Sequence, residues 1–174
     1  MNLADVFTFL FSILGTLIVL VGYWLLAFAL APQFVERAAA RMSSAPVKTA
    51  LLGAVTLVPL VVIGLTMSGQ APAAAVKVLG VGLALVGLLG ALLGSSGFAL
   101  LIGNGMLSPR DAAEPWRRVL RGGIVLGLTF VLPFVGTFIM LPAALLMGFG
   151  ALVRCWRVKA APTPAATPLP TPTL

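Results

Sequence analysis

A long charge-free run, from Gly122 to Val153, constrains the fold more than any other part of the sequence. As one α-helix it would be about 48 Å long, at roughly 1.5 Å per residue, whereas the hydrocarbon core of a bilayer is about 30 Å thick. Pro133 and Gly136 lie near its middle, where proline removes a helical hydrogen bond and glycine permits a turn. We therefore expect this run to form a hairpin with Pro133 and Gly136 at its turn.

The composition places most of the chain in a membrane. Of its 174 residues, 60% are apolar and only 9% are charged, whereas charged residues make up about 25% of a soluble domain. We expect one helical membrane domain over residues 1–158. The tail, 159–174, is rich in proline and threonine, cannot bury a core and is expected to be disordered.

Three further apolar runs predict transmembrane helices, at Val6–Ala31, Thr49–Ser68 and Val76–Gly103. Between the first two, Gln33–Lys48 fits either a short interfacial helix with its apolar side in the headgroups or an ordinary loop with one helical turn. Pro59 lies in the middle of the second run, where it predicts either a helix kink or a break at a substrate site.

The distribution of charge predicts the topology. Segments 33–48, 104–121 and 154–159 carry three, four and three basic residues, against one, two and no acidic residues. Basic loops stay on the cytoplasmic side, and three spans put the first two segments there together. The third joins them only if 122–153 enters the membrane and returns. The predicted fold is thus all-α and integral to the membrane, with three transmembrane helices plus a re-entrant helical hairpin. The N-terminus is then outside and the C-terminus cytoplasmic.

The alternative topology is one long, kinked and tilted helix with the tail outside. Against it, the arm from Gly122 to Pro133 spans only about 18 Å as a helix, too short to cross. The turn would then lie inside the membrane, covered by the three spans, because bare backbone is not tolerated in hydrocarbon. We expect Trp24, Trp116 and Trp156 near the cytoplasmic interface, although Trp24 lies deeper in its span than an interfacial residue should.

Glycines spaced for close helix packing recur in two of the predicted spans. Gly15 and Gly22 are seven residues apart on one face of the first span, where a neighbouring helix would approach closely. The third span carries a predicted helix-packing seam at Gly80, Gly87, Gly90 and Gly94. This seam fits packing inside one bundle or, alternatively, a contact between two copies.

Arginines beside the apolar runs are expected to contact anionic lipid headgroups. The bilayer is therefore one predicted partner. A nucleic-acid partner is not expected, because no basic face with interleaved aromatic residues is present. The predicted headgroup contacts are Arg117, Arg118, Arg121, Arg154 and Arg157.

The chain lacks the residues of most catalytic and metal sites. It has no histidine and one cysteine, which excludes a Ser-His-Asp triad, a histidine metal site and an intrachain disulfide. No ionisable residue lies clearly at hydrocarbon depth, which argues against proton relays and ion-coupled transport. We therefore predict no catalytic, cofactor-binding or metal-binding residues, and no enzyme. Cys155, beside basic residues, is either an inert thiol or a reactive or lipidated one.

Short motifs resemble the membrane domain of bactofilin-like, polymer-forming proteins of bacteria and archaea. The resemblance covers most of residues 32–153 but no β-helical polymer-forming segment, and it implies a helical membrane anchor or scaffold module without catalytic residues. The motifs are Pro32-Gln33-Phe34-Val35, Arg37, Arg41, Pro46, Pro59-Leu60, Gly123, Pro133-Phe134-Val135-Gly136 and Gly148-Phe149-Gly150-Ala151-Leu152.

Together these features predict a non-enzymatic scaffold or accessory subunit of a larger complex in the bacterial cytoplasmic membrane. Its partner would be another membrane protein or further copies of the same chain. The alternative is a small channel or passive transporter whose path is lined by the re-entrant hairpin, since broken helices at membrane depth often line such paths.

Overall fold

In a computed structural model, which describes residues 2–70, 72–106, 114–132 and 134–157, every regular element is helical. The predicted turn residue Pro133 and the predicted tail, 159–174, lie outside the described residues. The elements are α1 (Leu3–Leu30), α2 (Pro32–Ser44), α3 (Pro46–Gln70), α4 (Ala74–Asn104), α5 (Trp116–Val131), a π-helical turn (Gly136–Met140) and α6 (Leu141–Arg157).

Four helical segments are long and apolar enough to cross a membrane, and they indicate a multi-pass membrane protein. This confirms the prediction of an all-helical membrane fold, and helices cover each of the three predicted spans. The fourth segment, which the sequence assigns to one arm of a hairpin, joins the π-helical turn to α6. The four are Leu3–Leu30, Pro46–Gln70, Ala74–Asn104 and Gly136–Trp156.

Prolines set the boundaries of α2 and α3. Pro32 and Pro46 each occupy the first helical position, where the missing N–H would have had no helical partner. Only one residue separates each helix from the preceding one, so the segment between the first two spans is a helix rather than a loop. Pro59 does not break α3, which continues through it.

Helix α4 lies at the centre of the bundle and contacts all five other helices. Glycine makes this possible, because it lets neighbouring backbones approach closely. Gly80 and Gly87 face α3, Gly94 faces α6, Gly97 faces α2 and Gly103 faces α5. One helix thus organises the packing of the whole chain.

Helix α2 lies across one end of the bundle. Its apolar side is buried against other helices, and not placed in the headgroups as one of the two alternatives drawn from the sequence has it. The reason is Gly97 of α4: a Cβ atom there would lie 2.7 Å from that of Ala38, so only glycine admits α2 so closely. The buried residues of α2 are Val35, Ala38, Ala39 and Met42.

Both ends of the segment from α5 to α6 lie against α2. Near the start of α5, Val119 shares a buried cluster with Val35 and Ala39. Near the end of α6, Ala151 shares another with Ala38 and Met42. The beginning of α5 and the end of α6 are therefore found at the same end of the bundle.

Local hydrogen bonds hold the described backbone between α5 and α6. Leu132 is extended, and its carbonyl accepts the N–H groups of Gly136 and Thr137 at 3.0 and 3.3 Å. The π-helical turn packs against α5 and α6, while Phe134 and Phe138 remain 79% and 74% exposed. The main contacts of this turn are thus with α5 and α6, and not with the first three spans that were expected to cover it.

Candidate functional site

Helices α4 and α6 pack backbone against backbone at Gly94 and Gly148. A Cβ atom added at Gly94 would overlap the carbonyl group of Gly148 and lie 2.8 Å from its Cα atom. A Cβ atom added at Gly148 would lie 2.6 Å from the backbone nitrogen of Ser95. Neither side can yield by rotating a side chain, so this is the tightest kind of helix contact.

The four glycines of the predicted seam face two neighbours. A Cβ atom at Gly80 would lie 2.6 Å from the carbonyl oxygen of Gly64, and one at Gly87 would lie 2.9 Å from Leu60 Cδ2, both in α3. At Gly90 it would lie 3.3 Å from the ring of Phe149 in α6, the helix that Gly94 also contacts. All four positions therefore pack inside one chain.

The two glycines of α1 have a different environment. At both Gly15 and Gly22, an added Cβ atom would meet nothing within 4 Å among the described residues. The neighbour that the sequence predicts for this face is thus not supplied by the described part of the chain.

Trp24 is buried in the core instead of lying at an interface. Its indole N–H donates to Ser95 Oγ at 3.0 Å, and its ring meets Phe130 edge to face, with ring centres 6.2 Å apart. Ser95 in turn donates to the Leu92 carbonyl at 2.7 Å. The depth of Trp24 in its predicted span was the sequence signal for this role. The pair joins α1 to α4.

Arg154, a predicted headgroup contact, is bound to another helix. Its Nη1 atom donates to Thr49 Oγ1 at 2.7 Å. The buried Thr49 hydroxyl donates in turn to the Ala45 carbonyl at 2.9 Å. This pair ties the end of α6 to the start of α3. No sequence signal could have joined two residues so far apart in the chain.

The other predicted headgroup arginines lie around the start of α5 and the end of α6. Arg117 is paired with Glu114, and its guanidinium lies 5.5 Å from the centre of the Trp116 ring. Arg118 and Arg121 are half-buried, and Arg118 lines a cleft of about 330 Å³ together with Glu36 of α2. Arg157 belongs to α6, but its side chain lies outside the described atoms.

Cys155 lies where two helices bring basic side chains together. Arg37 and Arg41 lie one turn apart in α2, and Arg154 precedes the half-buried Cys155 in α6. Cys155, Arg37 and Trp156 line one pocket. Sequence reasoning counted these arginines as separate loop charges, because their convergence depends on how α2 packs against α6.

The described residues contain no group of three or more histidine, cysteine, aspartate or glutamate side chains that could hold a metal ion. Their polar side chains mostly bond within the bundle, as Thr56 does to the Leu52 carbonyl. The distinctive features are thus packing surfaces and a basic pocket.

No protein-family model, curated protein or solved structure matches this chain.

Proposed function

We propose that the protein is a non-enzymatic scaffold or accessory subunit that binds another membrane protein along α1. The observation that carries this proposal is the open face at Gly15 and Gly22. Glycines at helical spacing suit a close helix contact, and in α4 the glycines seven residues apart all pack against other helices. In α1 the described chain provides no neighbour for it.

The surroundings of Gly15 and Gly22 support an additional helix. All residues from Leu3 to Ser12 are exposed, including three phenylalanines. Gly22 lies in a groove of about 500 Å³ between α1 and α5. A partner helix there would combine close backbone contact at the glycines with apolar packing on both sides.

The proposed membrane arrangement explains why this face is open. We infer that the α5–α6 segment re-enters a bacterial cytoplasmic membrane, with α2 and the basic segments on the cytoplasmic side. Two observations support this: both ends of the segment lie against α2, and α5 has only 16 residues, about 24 Å at roughly 1.5 Å per residue. A helix this short leaves the outer half of α1 without a companion.

Cysteine labelling tests the arrangement. In a Cys155→Ser background, single cysteines replace Lys48, Gly69 or Trp156, and an impermeant maleimide is added to intact cells or to inverted vesicles. Re-entry predicts that Trp156→Cys reacts from the same side as Lys48→Cys and from the side opposite to Gly69→Cys. Reaction from the Gly69 side would establish a single crossing and end the proposed topology.

Co-purification tests the scaffold role. The tagged chain is extracted from native membranes in mild detergent, and we expect a stable partner, either another protein or further copies, to remain bound. Gly15→Leu combined with Gly22→Leu should release that partner. The matched control is Gly82→Leu in α4, which is also exposed with open space around it. A wild-type chain that emerges alone and monodisperse would refute the proposal.

The second candidate is a channel or passive transporter, favoured by one feature. Extended backbone at Leu132 and the following π-helical turn interrupt the helical segment, and such interruptions at membrane depth often line a path. Flux from vesicles containing the purified chain tests it, with Gly136→Leu expected to abolish flux. An absence of flux from the folded wild-type chain would dismiss this candidate.

A further inference from the structure

A groove between α1, α4 and α6 has apolar walls and a basic end. Its volume is about 640 Å³. Leu89 and Gly90 of α4 line its wall, and Leu152 and Trp156 of α6 line it toward the end of the bundle where α2 lies. The Tyr23 hydroxyl also lines it but donates to the Leu89 carbonyl at 3.3 Å. The walls thus suit an alkyl chain.

The pocket around Cys155 continues this groove toward α2. The two share Leu152 and Trp156, and the pocket adds Phe34 and Arg37. Arg41 lies one turn after Arg37 in α2, and Arg154 precedes Cys155 in α6. Among the described residues, no acidic side chain lines either part. The apolar groove therefore ends at Arg37, and Arg41 lies four residues further along the same face of α2.

We propose that this groove binds one anionic phospholipid, with an acyl chain between α4 and α6 and its phosphate at Arg37 and Arg41. Charge complementarity selects this occupant: an apolar partner helix would leave the arginines without a counter-charge, whereas a phosphodiester supplies one. Guanidinium groups bind phosphate oxygens with two parallel hydrogen bonds. Basic pockets between membrane helices on the cytoplasmic side are suited to acidic headgroups.

Two residues fit the lipid to the groove. Gly90 lines the groove without a side chain, and a Cβ atom there would already lie 3.3 Å from the ring of Phe149, so a larger residue would have to project into the groove. Trp156 is 84% exposed, at the level where an indole ring meets the headgroup region. This inference needs α2 at the membrane surface but is independent of the proposed scaffold role.

Quenching of Trp156 by brominated acyl chains tests the proposal. Trp116→Phe removes the other exposed tryptophan, and Trp24 is shielded in the core. The full chain is reconstituted in vesicles of phosphatidylcholine with a minor fraction of brominated phosphatidylglycerol, or in the converse mixture with the same fraction of brominated phosphatidylcholine. We expect several-fold stronger preferential quenching by the anionic lipid.

Charge variants separate the contribution of the lipid headgroup to binding from that of the acyl chain. Arg37→Gln should lower the preference by up to about fivefold, since each arginine near an anionic surface contributes about one such factor, and Arg37→Gln with Arg41→Gln should abolish it. The matched control, Lys48→Gln, removes an exposed basic side chain that lines neither part of the groove and should leave the preference unchanged. Gly90→Leu should reduce quenching by both lipids.

Three outcomes would overturn the proposal. They are equal quenching by the two lipids, an unchanged preference in the Arg37 and Arg41 variants, and cross-linking of Trp156→Cys to a second protein or copy seated in the groove. If Gly90→Leu fails to fold, the arginine variants still decide the question. A lost partner in the co-purification experiment with lipid preference intact would refute the scaffold role alone.

Discussion

Helices α1 and α4 carry the same sequence pattern but meet different surroundings. Both are long and apolar, and both place glycines seven residues apart. In α4, Gly80, Gly87 and Gly94 each pack against another helix of the same chain. Gly80 and Gly94 meet backbone atoms, and Gly87 meets a leucine side chain. In α1, Gly15 and Gly22 face open space.

The difference shows that glycines at this spacing permit close helix packing, while the topology determines which helix, if any, packs there. Helix α4 lies between all the other helices, so its neighbours come from its own chain. Helix α1 lies next to the short α5, and its N-terminal residues, Leu3 to Ser12, are all exposed. In α1 the capacity remains available to a partner, which is the basis of the proposed scaffold role.

The largest expected effect is at a glycine that packs directly against the backbone of another helix. Gly94→Ala should destabilise the chain by about 3 kcal/mol, the upper part of the range for overpacking, because the added methyl group meets the rigid Gly148 backbone. Unfolding by sodium dodecyl sulfate in mixed micelles, followed by tryptophan fluorescence, measures this. The control, Gly82→Ala, adds the same methyl group to open space on the same helix, and equal stability of both variants would contradict the packing described for α4.

The sequence predicts most of the helices but little of the contacts between them. Apolar length alone locates the spans, and Pro32 and Pro46 mark where helices begin. The sequence cannot show that Arg154 binds Thr49 or that the apolar side of α2 faces the bundle, because both depend on contacts between distant segments. Trp24 is the instructive case: its depth already conflicted with an interfacial role, and the missing information was the Ser95 hydroxyl opposite it.

The next largest effect is expected at Trp24, which joins α1 to α4 through its hydrogen bond to Ser95. Trp24→Phe should cost about 2 kcal/mol, through loss of buried ring volume and of the hydrogen bond to Ser95. A double-mutant cycle with Ser95→Ala isolates the bond itself, for which we expect about 1 kcal/mol in a membrane protein. Trp156→Phe, at an exposed position, is the control. A coupling free energy of zero would mean that the hydrogen bond between Trp24 and Ser95 does not help to hold α1 in the bundle.

A smaller effect is expected where α6 is tied to α3. Thr49→Val keeps the side-chain shape but removes the acceptor of the Arg154 hydrogen bond, and should cost about 1 kcal/mol. Thr66→Val is the matched control, since Thr66 is exposed and bonds only to carbonyls of its own helix. Equal micelle unfolding curves for the two variants would show that this tie contributes nothing to stability.

The smallest effect on the isolated chain is expected at the open glycines, and it sharpens the comparison most. Gly15→Ala and Gly22→Ala should each leave its stability within about 0.5 kcal/mol of the wild type, because substitutions away from packed features are nearly neutral. The same variants, assayed in native membranes, should weaken partner retention, since an added methyl group holds an approaching helix away from α1. A variant that lowers the stability of the isolated chain as much as Gly94→Ala would mean that α1 packs against its own chain. Unchanged retention of the partner in both variants would mean that only lipid covers the α1 glycines. Helices α1 and α4 would then share a glycine pattern in sequence but not its use in helix packing.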